Sequence, residues 1–281
     1  MENFILSGFS DEIDSSITVQ FEALKKLKMH YFEPRGINGK NISALSEDEI
    51  KTLADYMESY GISVSSIGSP IGKIKITDDF KQHTEALRHT IHIAKALKTK
   101  YIRIFSFFLP QNEPAEKYRN DVLDRMKQMT ALAEENEVIL LHENEKEIYG
   151  DVAARCADIL TEVNSPNLRA VFDPANFVQC GQDTKEAYQI LAPFVEYVHI
   201  KDALPNGDVV PAGQGVGNVE WLLTQLKADG YQGFLSLEPH LGSFTGLSAL
   251  ENSDKMEKLE RSSEEKFILA HNALISILKN L

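Results

Sequence analysis

The segment Val138–Glu147, VILLHENEKE, joins an apolar run directly to a cluster of carboxylates. A run this short, opening on a β-branched residue, fits a strand buried on both faces between helical layers. Side chains alternate along a strand, so Ile139, Leu141 and Glu143 share one face while Val138, Leu140 and His142 share the other. An ionised carboxylate at such a strand end is costly without a cation beside it, so Glu143 calls for an Arg, a Lys or a metal ion.

Three later stretches repeat the pattern and favour the metal. LRAVFDPAN reaches Asp173, VEYVHIKDA reaches His199, and GFLSLEPH reaches Glu238, each an apolar run closed by a metal-capable side chain. Upstream, further strand-like runs span 4–9, 31–35, 62–67 and 101–105, and segments of helical periodicity separate all of them. Repeated βα units of this kind, about eight in number, predict a (β/α)8 TIM barrel of parallel strands, with residues 1–281 forming one domain. The C-terminal strand ends of such a barrel converge on one face, so Glu143, Asp173, His199 and Glu238 are expected to point at a common centre. Three carboxylates and one imidazole describe a site for one divalent ion; the oxygens favour Mn²⁺ or Mg²⁺, and the imidazole admits Zn²⁺ or Co²⁺.

Strand parity also places the arginines. In YIRIF, Ile102 and Ile104 suit the helix-facing side, leaving Tyr101, Arg103 and Phe105 directed inward; in YFEPR, Glu33 and Arg35 share a face. Arg35 and Arg103 are therefore candidates for the pocket, or for internal ion pairs such as Arg35 with Glu33 or Asp11. Helix starts are expected near Asp14 or Ser15 and, through the Ser46 and Glu49 capping box, near residue 46. GQGVG at Gly213–Gly217 lacks the full dinucleotide fingerprint and reads as a flexible loop. His83, His89 and His92 read as helix-surface groups, and the charged run Glu251–Glu265 as a solvated connection or extra helix, with a lid as a further reading.

At 281 residues, 43% hydrophobic and 25% charged, the chain can bury a substantial core. Its formal net charge of −13 opposes generic attraction to nucleic acid or anionic membranes. Cys156 and Cys180 lack the spacing of a disulfide framework or zinc knuckle, and no signal peptide or bilayer-length apolar run is seen. A cytoplasmic protein acting on a small molecule is expected, with a homo-oligomer left open.

Here the chain resembles the xylose-isomerase-like TIM barrels, a family that includes sugar and sugar-phosphate isomerases and epimerases. The likeness covers nearly the whole length. It is carried by HEN at His142–Asn144, FDPAN at Phe172–Asn176, HIKD at His199–Asp202, the glycines at Gly213 and Gly215, and SLEPH at Ser236–His240. GFSDEID and FEPRG resemble a subgroup described as sugar phosphate isomerase or epimerase. The resemblance implies that Glu143 and Glu238 bind the metal and also form a proton-transfer pair, with Asp173 and His199 completing the coordination. It further implies Glu147, Asn176, Lys201 and His240 as substrate contacts. The type IV endonucleases of the same superfamily carry a histidine where this chain has Asn176, a poor metal ligand, which argues against a three-metal phosphodiesterase centre.

The implied activity is metal-dependent isomerisation or epimerisation of a sugar or sugar phosphate in carbohydrate metabolism, through an enediolate stabilised by the cation. The same base and metal would serve a dehydratase acting on a keto-inositol or dehydroshikimate type of substrate. A non-catalytic sugar-binding barrel is the third reading.

Overall fold

The computed structural model describes residues 4–241 and 262–281. Among these residues the strands are β1 (Ile5–Gly8), β2 (Tyr31–Phe32), β3 (Ser63–Val64), β4 (Tyr101–Ile104), β5 (Ile139–Glu143), β6 (Leu168–Phe172), β7 (Val195–Ile200) and β8 (Phe234–Leu237), with two small antiparallel pairs besides. Six of them form one parallel sheet in the order β1-β8-β7-β6-β5-β4, while β2 and β3 pair with each other. A few backbone bonds close the ring. Glu33 N–H donates to Gly8 O at 2.9 Å, Ile67 N–H to Tyr101 O at 2.9 Å, and Arg103 N–H to Ile67 O at 2.9 Å. The predicted barrel is thus formed by strands at each predicted place.

The helices are α1 (Ile17–Lys26), α2 (Glu47–Tyr60), α3 (Phe80–Ala96), α4 (Arg119–Glu135), α5 (Ala153–Val163), α6 (Pro174–Gln179), α7 (Thr184–Leu191), α8 (Val219–Ala228) and α9 (Ser263–Asn280). Local chemistry sets their ends. The Ser46 and Glu49 capping box opens α2, and Gly61, in the left-handed region at φ 65°, closes it. Helix α1 starts later than Asp14 or Ser15: its N-cap position is Ser16, and Ile17 N–H is satisfied by the distant Asn38 side chain at 3.0 Å. The short helix α6 was not anticipated, although an Asp followed by Pro is a helix-start signature. The lid reading of the charged run falls largely outside the described residues; its tail, Ser262 and Glu265, forms the capping box of α9.

Parity along the strands holds as expected. Ile102, Ile104, Leu140 and Val198 are buried in the layer between strands and helices. Inside the barrel, Leu141, Val171 and Tyr197 form a small apolar floor with Tyr101, Ile139 and Phe234. Charged groups sit above this floor, at the C-terminal mouth of the strands.

Candidate active site

Four strand ends build the centre of the mouth: Glu143 ends β5, Asp173 follows β6, His199 lies on β7, and Glu238 follows β8. One ligand atom from each lies within 4.8 Å of all the others, and all four residues are buried. His199 Nδ1 is 2.8 Å from Glu143 Oε1 and 3.5 Å from Glu238 Oε2. Lys201 Nζ bridges Asp173 Oδ2 at 3.1 Å and Glu238 Oε2 at 3.2 Å. Arg103 Nη1 bridges the two glutamates from another side, at 3.3 Å to Glu143 Oε2 and 3.6 Å to Glu238 Oε1.

Around this centre the cations and anions alternate. Arg35 faces Asp11 with two nitrogens, at 2.9 and 3.1 Å, and reaches Glu12 at 3.3 Å and Glu238 Oε1 at 3.2 Å. The expected ion pair with Asp11 therefore forms, and Glu33 meets His199 Nε2 at 3.3 Å. His240, with a left-handed backbone at φ 47°, sets Nε2 3.3 Å from Glu238 Oε1 and 3.6 Å from Glu12. Phe9 and Phe105 flank the Arg103 guanidinium at 5.0 and 4.9 Å, and Phe9 also faces Arg35 at 4.6 Å. Asn176 donates to Glu143 Oε1 at 3.4 Å and to Asn144 O at 2.8 Å.

Burial by itself raises a carboxyl and lowers an imidazole, and the ion pairs then decide the outcome. For Glu143, burial is outweighed by His199 and Arg103, which hold the carboxyl below its ordinary value. Glu238 is held well below, against burial, by Lys201, His240 and His199. Asp173 goes the other way: burial pushes it up to about 7, and Lys201 offsets this only in part. His199 resists burial because Glu143 and Glu33 hold its imidazolium well above the usual range. His142, on the opposite face of β5, is buried without a hydrogen bond and is lowered by burial to about 4.

Several expectations need correction. Glu147 is exposed on the loop after β5, and its carbonyl receives Leu109 N–H; Glu145, two residues earlier, turns inward to Lys73 at 3.1 Å. Glu147 is a candidate through the resemblance alone, and strand alternation, which ends before this turn, says nothing about where its side chain points. GQGVG is pinned rather than flexible: the N–H groups of Gly213, Gly215 and Gly217 donate to the buried Asp202 carboxylate at 2.9, 3.0 and 2.8 Å. A Cβ on Gly215 would stand 2.3 Å from Ala203 O, so only glycine allows that approach. His83 is a partly buried acceptor for Gly72 N–H at 2.8 Å, whereas His92 pairs with Glu47 at the surface.

Sequence reasoning also missed contributors. Asn144 binds the Asp173 backbone in both directions, at 3.0 Å each, and so ties the end of β5 to the end of β6. Asp173 Oδ1 caps α6 through Asn176 N–H at 3.0 Å, which turns Oδ2 toward the centre. The Asp-Pro signature would have revealed this second role. Glu12 and Glu33 become site residues only through barrel closure.

The donor set fits a divalent ion. Two of its oxygens, Glu143 Oε2 and Asp173 Oδ2, are buried and meet only the charges of Arg103 and Lys201 without a well-formed hydrogen bond, and hard carboxylate oxygens with one imidazole are ordinary ligands for a divalent cation. Metal would take the place of the proton shared by His199 and Glu143.

A family model described as the xylose isomerase-like TIM barrel matches residues 21–260. The chain is 21% identical over 229 residues to 3-dehydroshikimate dehydratase of Bacillus anthracis, covering 76% of each protein. It is similar in structure to the IolI protein with a bound zinc atom, at TM-score 0.78 and 19% identity over 99% of both chains. A D-allulose 3-epimerase from Methylomonas sp. gives TM-score 0.77 at 16% identity over 100% of this chain and 99% of that one. At these identities the likeness to solved structures establishes the fold.

Proposed function

Because the chain belongs to the xylose isomerase-like TIM barrel family, we propose that it is an enzyme that moves a proton on a carbon next to a carbonyl, using one divalent ion. The ligands are Glu143, Asp173, His199 and Glu238, and the substrate is a sugar or sugar phosphate that is isomerised or epimerised. One observation carries this reading: Glu143 and Glu238 face each other across one space, with His199 Nδ1 and Arg103 Nη1 each within 3.6 Å of both. When bound there, the ion would polarise the carbonyl and a neighbouring hydroxyl and stabilise the charge that develops on them.

Both carboxyls are held below their ordinary values, so both are ionised at neutral pH and either can accept a proton. One glutamate removes the proton next to the carbonyl, leaving an enediolate. The other glutamate, once it has taken a proton from solvent or a substrate hydroxyl, delivers it to the opposite face of the same carbon and gives an epimer, the first glutamate then releasing its own proton. Return of the first proton to the neighbouring carbon, with the hydroxyl proton passing to the former carbonyl oxygen, gives the aldose-ketose pair. Lys201 and Arg103 bridge the carboxylates and so fix their orientation, and Asn176, His240 and Arg35, each in contact with one of the two glutamates, would meet a polyol bound there. The 21% identical dehydratase favours a second reading, in which the same first step is followed by loss of the β-hydroxyl as water.

A panel of ketoses, ketose phosphates and hydroxylated cyclic keto acids, incubated with metal-loaded protein in deuterated water, tests both. Deuterium at the carbon beside the carbonyl with unchanged skeleton mass supports isomerisation or epimerisation, and a product lighter by one water supports the lyase. In Glu143→Gln and Glu238→Gln, turnover should stop in both while one-sided exchange survives in one. Full turnover in either metal-loaded variant would remove that residue from the chemistry.

A further inference from the structure

Glu33 follows β2 and is completely buried. A single oxygen, Oε2, receives all its donors: Ser236 Oγ at 2.7 Å, Tyr197 OH at 2.9 Å and His199 Nε2 at 3.3 Å. Its other oxygen has no hydrogen-bond partner, so the carboxylate's polar contacts are concentrated on the atom that meets the imidazole. Tyr197 OH also lies 2.8 Å from Ser65 Oγ, which in turn is 2.6 Å from Ser7 Oγ. Residues of β1, β2, β3, β7 and β8, or just beyond them, thus meet in one polar layer between the apolar floor and the ligand cluster.

The two ring nitrogens of His199 have different surroundings. Nδ1 faces Glu143 and Glu238; Nε2 faces Glu33. Phe9 and Tyr197 meet the ring edge-on, at 5.2 Å and 76° and at 5.7 Å and 89°, which leaves little room for it to turn over. A neutral imidazole carries one N–H, and the partner of one nitrogen sets which nitrogen keeps its lone pair.

We propose that Glu33 is a positioning residue: it fixes His199 with the proton on Nε2, so that Nδ1 presents its lone pair to the divalent ion. Tyr197 and Ser236 hold the Glu33 carboxylate in place for this purpose. A carboxylate behind a metal-bound imidazole also raises its basicity, strengthening the ligand without touching the metal. The inference rests on the metal-site reading above and adds the residue that makes His199 a competent ligand.

The test uses the whole chain loaded with Zn²⁺, which is diamagnetic. Long-range proton-nitrogen correlation of the imidazoles, assigned by the signals lost in His199→Ala, should show the His199 proton on Nε2 and the metal on Nδ1. Glu33→Gln, nearly isosteric, should lower Zn²⁺ affinity by about 10–100-fold in competition with a chromophoric chelator. Ser236→Ala removes a donor to the same oxygen and should lower affinity by less than Glu33→Gln, because Tyr197 and the Glu33 to His199 contact remain. Zinc on Nε2 of the unsubstituted protein overturns the proposal without any variant having to fold. Zinc on Nδ1 with undiminished affinity in Glu33→Gln overturns the role of Glu33 while sparing the metal site. Absence of any zinc effect on His199 removes both.

Discussion

Replacing Arg103 by Met tests the electrostatic construction of the mouth directly. Arg103 is 2% exposed, bridges Glu143 and Glu238 through Nη1, and is held between Phe9 and Phe105. Methionine fills much of the stem but leaves two buried carboxylates without that cation. Breaking a buried pair from one side costs about 3–5 kcal/mol, because the remaining charge is stranded away from water. With an unfolding entropy of about 2.1 cal/mol/K per residue, a chain of 281 residues should melt about 5–8 °C lower in chelator. On the proposed ligand set a divalent ion would bind the same two carboxylates, so saturating metal should narrow the gap between Arg103→Met and the unsubstituted protein. Melting followed by circular dichroism, with chelator and then with Mn²⁺ or Zn²⁺, measures both quantities. A metal-free decrease under about 2 °C would refute the view that this bridge stabilises the mouth. A gap equally wide with and without metal would show that the ion does not take over these carboxylates.

His199→Ala should remove most bound metal, and undiminished content by elemental analysis after dialysis would contradict the ligand set. Metal affinity should rise with pH, because Asp173, raised to about 7, holds a proton that the ion must displace. In the metal-free protein the same raised value has the opposite consequence: its contribution to stability is complete below the ordinary aspartate range and is lost as pH rises through about 7. Chelator competition between about pH 5.5 and 7 should show roughly tenfold weaker binding per unit of acidification for each displaced proton, and a flat profile would refute it. Gly215→Ala should cost about 2–4 kcal/mol in denaturant unfolding, since its Cβ would force the backbone off Ala203 O and loosen the bonds to Asp202. A loss under about 0.5 kcal/mol would show the loop to be slack.

Most of the barrel was legible because its strands obey a simple alternation. Ile102 and Ile104 had to face apolar helices, so Arg103 had to face inward, and the structure places it there at 2% exposure. The four ligand candidates followed from a similar rule, since parallel strands in a ring bring their C-terminal ends together. Glu147 lay beyond the reach of that reasoning: it belongs to a turn at φ 67°, where period-two spacing no longer says which way a side chain points. The glycines of Gly213–Gly217 were visible as glycines, but their partner Asp202 was not, because backbone N–H donors carry no mark in a sequence.

Sequence by itself determined the parallel architecture, the inward parity of Arg103 and Glu143, and the chemical type of the centre, because these depend on residue identity and on local periods of two and about 3.6. Tertiary structure alone decided which charges meet. Glu33 and His199 are 166 positions apart, and Arg35 and Glu238 are 203 apart, so their pairing depends on ring closure rather than on any local pattern. It also decided the protonation of the site. Asp173 is raised and Glu238 lowered although both are buried carboxylates at strand ends, because Lys201 only partly offsets burial at the first, while at the second His240 and His199 join it and outweigh burial.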